Sequence, residues 1–169
     1  VLDAADPEYV AIVVPSYPSA GRICIGGHVL VNSVPLNETE VIRDSKFPFN
    51  TSKVVDIIKI QSKRNVVHIP YDLVQSSESE MIRVLSSVPK GSIVVIDAVT
   101  NKDIQKIARI CVKSKVPFIP VDPGPFTAAV ISTLFAPQEE EPRILLVIGS
   151  VTELTRKQVK HLTNVYTVK

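Results

Sequence analysis

The sequence predicts an α/β fold of three layers, in which right-handed crossovers link a mostly parallel sheet and a β-hairpin loop projects from it. Short runs of continuous β-branched and apolar residues recur along the chain, as expected for strands that are buried on both faces. Amphipathic stretches with helical spacing separate these runs. Such an alternation of strands and helices is typical of layered α/β proteins.

The predicted strands, all short, β-branched and continuously apolar, are residues 10–14, 66–69, 92–97, 118–121 and 143–148. The predicted helices are residues 51–63, 79–87, 101–115, 126–135 and 152–162. Thr100 or Asn101 is the expected N-cap of the helix over 101–115, because either side chain accepts a hydrogen bond from a first-turn N–H group. Residues 126–135 are nearly all apolar, so we expect that helix to be buried.

A long loop, residues 14–44, connects the first predicted strand to the first predicted helix and reads VPSYPSAGRICIGGHVLVNSVPLNETEVIRD. Long ordered loops in compact domains are usually functional, and binding sites concentrate on loops that follow α/β strands. Apolar residues on both sides of Asn32-Ser33 predict a small β-hairpin, because this pair suits a tight turn. The alternative is an ordered surface excursion that is simply rich in turn residues.

Composition excludes some partners. The chain has 169 residues with a formal net charge of +2, scattered Lys and Arg, 5% aromatic residues and no Trp, so nucleic acid is not an expected partner. No apolar run approaches the ~20 residues that span a bilayer, so no membrane partner is expected either. Cys24 and Cys111 are far apart in sequence and fit no metal spacing, and free thiols favour a cytoplasmic location.

The histidines suggest no metal site and no nucleophilic triad, because their spacing matches neither. Among His28, His68 and His161, the last two have no candidate partner in the sequence, and we interpret them as solvated or as structural histidines with satisfied hydrogen bonds.

The acidic segment 137–142, Pro-Gln-Glu-Glu-Glu-Pro, predicts a linker. It would separate residues 1–136 from residues 143–169, the opening of a second domain, although an exposed loop within one domain is the alternative. The chain starts at Val1 without a Met and ends as a further strand begins. We therefore expect it to be a piece of a longer protein.

Polar residues follow the predicted strands, where open α/β sheets bind ligands. Asp97 and Asp122 could face a shared cleft, ligate a metal or cap the helix that follows each, and capping is the expected role. After the last predicted strand, Gly149, Ser150 and Thr152 place N–H groups and hydroxyls where a phosphate could bind. This segment is not a P-loop, because no Gly-Lys-Ser/Thr follows.

Within the long loop, Arg22 could clamp a carboxylate through two parallel hydrogen bonds, although single surface arginines are common. Gly26 and Gly27 would let the backbone approach a ligand closely. Charged residues cluster after the hairpin and could bind sugar hydroxyls or simply pair with one another: Glu38, Glu40, Arg43 and Asp44.

Taken in order, several segments resemble those of one known family. They are residues 15–22 (PSYPSAGR), 26–27 (GG), 34–40 (VPLNETE), 43–44 (RD), 61–64 (QSKR), 96–98 (IDA), 122–126 (DPGPF) and 149–158 (GSVTELTRKQ). No single segment is diagnostic, but the ordered set covers nearly the whole chain. The set resembles the four-carbon acid-sugar kinases.

The resemblance implies an N-terminal sugar-acid-binding domain and a C-terminal nucleotide-binding domain. The family transfers a phosphoryl group from ATP, with Mg, to the terminal hydroxyl of threonate, erythronate or a 3-oxo-tetronate. By the same resemblance, residues 1–136 are the back half of the first domain and residues 143–169 begin the second. The implied substrate contacts are Arg22, Gly26, Gly27, Glu40, Arg43 and Asp44, and the implied ATP contacts are Gly149, Ser150 and Thr152.

The sequence also departs from the family pattern. It lacks the family's Asp-Asp-Leu-Thr-Gly segment, its Lys-x-Asp-Ser-Thr-Leu-Arg-Gly segment and its glycine-rich nucleotide loops. Phosphoryl transfer depends on positioning and charge neutralisation by such groups, so we expect the base to lie outside this chain and the piece alone to be inactive. Two other functions stay open: a non-enzymatic module that binds a small sugar acid, and a structural loop that mediates a homo-oligomer contact.

Overall fold

The computed structural model describes residues 4–40, 50–135 and 152–165, without the side chains of 163–165. The strands in chain order are β1 (Val10–Val13), β2 (Arg22–Ile25), β3 (His28–Val31), β4 (Val34–Pro35), β5 (Val66–Ile69), β6 (Ile93–Ile96) and β7 (Phe118–Val121). The helices are α1 (Val54–Gln61), α2 (Tyr71–Gln75), α3 (Glu78–Ser87), α4 (Asn101–Ser114), α5 (Pro125–Leu134) and α6 (Glu153–Val165).

A four-stranded parallel sheet with the order β5-β6-β1-β7 lies at the centre of the first part of the chain. The register pairs Ile12 of β1 with Val94 of β6 on one side and with Pro120 of β7 on the other. Strand β6 lies inside the sheet, and its residues Val94, Val95 and Ile96 are all 0% exposed. The predicted α/β class with a mostly parallel sheet is confirmed.

Different elements cover the two faces of this sheet. On one face, the side chains of β1 and β6 pack against α3, α4 and α5, whose buried residues include Met81, Leu85, Ile104, Ile107, Cys111, Phe126 and Val130. On the other face, Val95 packs against residues of the long loop and of α1, namely Cys24, Val29 and Val54. This arrangement gives the three predicted layers.

Local signals in the sequence start the helices. The Thr100 side chain accepts a hydrogen bond from the Asp103 N–H, and the Asp103 carboxylate accepts one from the Thr100 N–H in return, a capping box that starts α4. Thr100 is thus the N-cap, one of the two residues expected. The short helix α2 was not predicted from the sequence, because a five-residue helix carries too little periodicity.

Helix α5 differs from its prediction. Phe126 and Val130 are buried, but Ile131 is 52% and Leu134 57% exposed, so the expectation of a buried helix is wrong for its outer face. The helix packs on α4 and the sheet along one side only. Apolar composition alone does not tell a buried helix from one that lies at the outside of a layer.

The long loop folds into a three-stranded antiparallel sheet, β2-β3-β4. The predicted hairpin around Asn32-Ser33 is confirmed as β3–β4, and both turn residues have positive φ, 49° and 67°. A second hairpin, β2–β3, turns at Gly26-Gly27 with φ of 60° and 77°. Two-residue turns with positive φ at both central residues have a twist that matches the twist of the strands they join, which explains why they are common in hairpins.

The chain divides into two units, Val1–Ala136 and Pro137–Lys169. Of the second unit the structure describes Thr152 and α6, where the Thr152 hydroxyl accepts a hydrogen bond from the Thr155 N–H. The predicted linker 137–142 and the predicted strand 143–148 lie outside the described residues. Among the helices described, none has the length and apolar content needed to cross a membrane.

Candidate functional site

A buried carboxylate organises the carboxyl edge of the parallel sheet. Asp97 directly follows β6 and is 0% exposed. Its Oδ1 accepts hydrogen bonds from the Gly27 N–H at 3.0 Å and the Cys24 thiol at 3.3 Å, and it lies 3.0 Å from Nε2 of His68. Its Oδ2 accepts a hydrogen bond from the Tyr71 N–H at 3.1 Å. The carboxylate therefore joins β2, the β2–β3 turn, β5 and the start of α2.

Backbone pairing holds the small sheet against this edge. Cys24 and Ala98 exchange N–H···O hydrogen bonds of 3.0 Å each, and the buried Ser16 hydroxyl donates to the Ala98 carbonyl at 2.7 Å. Ala98 follows Asp97, so the residues that dock β2 are neighbours of the buried carboxylate. Buried polar groups are normally hydrogen-bonded, and the Ser16 hydroxyl and the backbone groups of Cys24 and Ala98 satisfy one another in this way.

Gly27 is required at its position for two reasons. Its φ of +77° is rarely adopted by residues with a side chain, and a Cβ there would lie 3.3 Å from Cε1 of His68. The imidazole ring therefore packs directly against the backbone of the turn. Gly27 thus brings the turn close enough for its N–H to reach Asp97.

The cysteines are not reactive groups. Burial, and next the negative charge of Asp97, strongly raise the pKa of the Cys24 thiol. Burial raises the pKa of Cys111 to about 12. Because the thiolate is the nucleophile, neither side chain suits covalent catalysis at neutral pH. Both cysteines are free.

The two aspartates after the strands act differently. The Asp122 carboxylate accepts hydrogen bonds of 2.7 Å from the N–H groups of Gly124 and Phe126, so it caps α5, the helix that follows it, as predicted. For Asp97 the capping expectation is wrong, because its carboxylate binds the first N–H of α2 while Thr100 caps the following helix. Within the described residues no cluster of His, Cys, Asp or Glu could hold a metal ion.

Arg22, the predicted carboxylate clamp, is half-buried on β2. Side chains alternate along a strand, so Arg22 shares with Cys24 the face that turns toward the sheet edge. The preceding Gly21 has φ of +73°, and a Cβ there would lie 2.0 Å from Oδ1 of Asn32. The positive φ favours glycine at this position, whereas the Asn32 side chain could move away from an added Cβ.

Three other predicted site residues lie within the described part of the chain. Gly26 is exposed at the tip of the β2–β3 turn, Glu40 is exposed at the end of a described range, and Thr152 is exposed at the start of α6. Four further predictions lie outside the described residues, namely Arg43, Asp44, Gly149 and Ser150.

The sequence analysis did not find the pair formed by His68 and Asp97. His68 was expected to be solvated or structurally satisfied, and its partner could not be identified from sequence distance. One signal was present: β5 and β6 are neighbouring parallel strands, with His68 paired with Val95. A histidine near the end of one strand and an aspartate after the next are brought together by that pairing.

Comparisons with known proteins agree with this architecture. The family model described as "Sugar-binding N-terminal domain" matches residues 1–130. A D-erythronate kinase of Heliobacterium modesticaldum is 40% identical over 98% of this chain and 39% of its own length. A D-threonate kinase of Salmonella typhimurium is 32% identical over 92% of this chain and 37% of its own length. The chain thus spans about two fifths of these relatives, and its resemblance to the four-carbon acid-sugar kinases is confirmed.

Solved structures share the fold. A Haemophilus influenzae protein of the DUF1537 family superposes with a TM-score of 0.66 at 18% identity, over 92% of this chain and 39% of that one. A DUF1537 domain from Bordetella bronchiseptica, crystallised with citrate as a domain-swapped dimer, gives 0.63 at 23% identity over 94% of this chain and 38% of that one. The likeness in fold and the match over residues 1–130 lead to one conclusion: this chain belongs to the family of sugar-binding N-terminal domains.

Proposed function

We propose that this chain binds the acid sugar in an ATP-dependent kinase that phosphorylates the terminal hydroxyl of a four-carbon acid. The substrate class is that of erythronate, threonate and 3-oxo-tetronate, after the names of relatives that align with most of this chain. In this proposal unit Val1–Ala136 holds the sugar acid and unit Pro137–Lys169 begins the nucleotide-binding domain. The structural observation that carries the proposal is a half-buried arginine at the carboxyl edge of the sheet.

Arg22 binds the substrate carboxylate in this proposal. Within residues 4–40, 50–135 and 152–165, no acidic side chain forms an ion pair with its guanidinium. A half-buried guanidinium favours an anionic partner, and its planar fork matches a carboxylate through two hydrogen bonds. Carboxyl edges of open α/β sheets are also where ligands bind.

The neighbouring loop residues complete the proposed substrate site. The Gly27 N–H is already bonded to Asp97, so Gly27 contributes close backbone approach, whereas the exposed Gly26 offers its backbone to the ligand. Glu40 is the proposed partner of sugar hydroxyls. The resemblance alone adds two more residues to this site, Arg43 and Asp44.

The proposed kinase uses ATP together with Mg. Gly149, Ser150 and Thr152 are the proposed nucleotide contacts. Among the described residues no group of three or more His, Cys, Asp or Glu side chains could hold a metal ion by itself, so no step is assigned through magnesium. The general base is likewise proposed to lie in the part of the longer protein that this chain does not span.

The proposal includes a cytoplasmic location and leaves a homo-oligomer as a candidate assembly. Two free, buried thiols suit a reducing compartment. Light scattering of the purified full-length protein measures the assembly directly.

The test is a kinase assay with the full-length protein, MgATP and a panel of D-erythronate, D-threonate and 3-oxo-tetronate. We expect ADP formation that depends on one of these acids, and a product phosphorylated at the terminal hydroxyl. Failure to turn over any member of the panel contradicts the proposed reaction. Binding of an acid without turnover would instead favour the non-enzymatic binding module.

Arg22 is tested by Arg22→Ala and Arg22→Lys in direct titrations of the full-length protein with the preferred acid. Hydrogen bonds to a charged group contribute about 1.5–3 kcal/mol, so we expect the alanine variant to bind about 10–100-fold more weakly. The lysine variant keeps the positive charge but loses the planar guanidinium, so its affinity is expected to lie between those of the wild type and Arg22→Ala. Arg83→Ala, on the exposed face of α3, is the matched control and leaves affinity unchanged. If Arg22→Ala binds the acid as tightly as the wild type, Arg22 does not bind the substrate carboxylate.

A further inference from the structure

One nitrogen of the His68 imidazole, Nε2, is hydrogen-bonded to Asp97, and the other, Nδ1, is available to a ligand. Nε2 lies 3.0 Å from the buried Asp97 carboxylate, while the side chain as a whole is 26% exposed. No described residue forms a hydrogen bond with Nδ1. The ring therefore connects a buried charge to the surface of the carboxyl edge.

Asp97 determines which nitrogen carries the proton. An ionised carboxylate only accepts hydrogen bonds, and this one already accepts them from the N–H groups of Gly27 and Tyr71 and from the Cys24 thiol. Nε2 must therefore donate to Oδ1. In the neutral ring Nδ1 is then an acceptor, the same relation by which carboxylates orient metal-binding and catalytic histidines.

The orientation of the ring is fixed as well. A Cβ on Gly27 would lie 3.3–3.6 Å from Cε1, Nε2 and Nδ1 of His68, so the ring rests against the bare backbone of the turn. With Asp97 on one nitrogen and Gly27 against its face, the ring has little freedom to turn. An acceptor that is held in this way is pre-organised for a ligand donor.

We propose that Nδ1 of His68 accepts a hydrogen bond from a hydroxyl group of the bound sugar acid and so selects hydroxylated acids. This inference rests on the proposed function and adds a specificity-determining residue to its site. Arg22 and Cys24, which touches Asp97, are two positions apart on one face of β2, about 6.6 Å along the strand. Through Cys24 and Asp97, this strand ties Arg22 and His68 to the same carboxyl edge of the sheet.

The test is direct titration of the full-length protein, without ATP, with D-erythronate and with dihydroxybutanoates that lack its 2- or its 3-hydroxyl. We expect the wild type to prefer D-erythronate over one of these analogues by about tenfold. His68→Lys can still donate to Asp97 but offers no acceptor, so its selectivity is expected to vanish. His68→Gln offers both an N–H donor and an oxygen acceptor and should retain part of the selectivity. His161→Gln, exposed on α6, is the control.

The outcomes separate the two proposals. If the wild type binds none of the acids, the proposed function fails. If the wild type binds and discriminates, but His68→Lys discriminates equally well, the role of His68 is overturned while the proposed function stands. A melting curve reports whether each variant is folded.

A second measurement uses only the wild type, so it does not depend on whether a variant folds. In ¹⁵N spectra of the histidine-labelled wild type, the Nδ1 resonance of His68 is expected to shift when saturating D-erythronate is added. A resonance that does not move while the acid binds overturns the inference.

Discussion

The two faces of the central sheet are held by different forces. On one face, β1 and β6 pack against α3, α4 and α5 through a continuous apolar cluster. On the other face the apolar cluster is small, and the three-stranded sheet is fastened at the carboxyl edge by hydrogen bonds to Asp97 and Ala98. Apolar burial is non-directional, whereas hydrogen bonds fix particular atoms in place.

The difference separates the scaffold from the site. The helical face derives most of its stability from apolar burial, which does not depend on the exact position of polar atoms. The loop face supplies position: Asp97 holds Gly27, Cys24 and His68 at the edge where a ligand is proposed to bind. We therefore expect damage to the first face to lower global stability, and damage to the second to loosen the site.

The largest effect is expected on the helical face. Phe126 is fully buried and packs against Phe118 with ring centroids 6.4 Å apart. Phe126→Ala should lower the free energy of unfolding by about 3–5 kcal/mol, measured by denaturant titration. Ile131→Ala, on the exposed side of the same helix, is the control and should change it by about 0.5 kcal/mol or less. Equal losses would mean that the outer face of α5 is not exposed in solution.

Asp97→Asn sharpens the comparison. The side-chain NH₂ of the asparagine would then face one of the donors that now bind the Asp97 carboxylate. A buried donor without an acceptor lowers the free energy of unfolding by about 1–3 kcal/mol. Since the loss is local, the Cys24 thiol should become accessible to a thiol reagent while Cys111, in α4, stays protected. The rates are measured by mass spectrometry of labelled peptides in native buffer. Parallel acceleration at both cysteines would show that the loop sheet and the helical face open as one unit.

A smaller effect is expected at Asp103, on the helical side. Burial alone would raise the pKa of Asp103, but hydrogen bonds from Thr100, Gln75 and Val99 hold it below the ordinary value of about 3.9. Its contribution to stability is thus complete above about pH 4 and is lost as the pH falls through the lower folded-state pKa. Unfolding free energies of wild type and Asp103→Asn should differ at neutral pH and converge in acid. A difference that is constant with pH contradicts this account.

Sequence reasoning predicted the helical face better than the loop face. Continuous apolar runs marked β1, β5, β6 and β7, and the Thr100 cap was readable because capping is local. The contacts of Asp97 were not predictable, because their partners at positions 24, 27, 68 and 71 meet only through the pairing of the strands. Arg22 was singled out from its residue type and its loop, and its role as a carboxylate clamp stays a prediction; the sequence did not show that it shares a face of β2 with Cys24.

The central claim is that a four-carbon acid binds at the carboxyl edge beneath the loop sheet. Hydrogen exchange of the full-length protein, with and without saturating D-erythronate, tests this claim most directly. The account predicts slower exchange of backbone amides over β2, β3 and the residues that follow β5 and β6, with α4 and α5 unchanged. Protection confined to α4 and α5, or binding without any protection at the loop sheet, would contradict it.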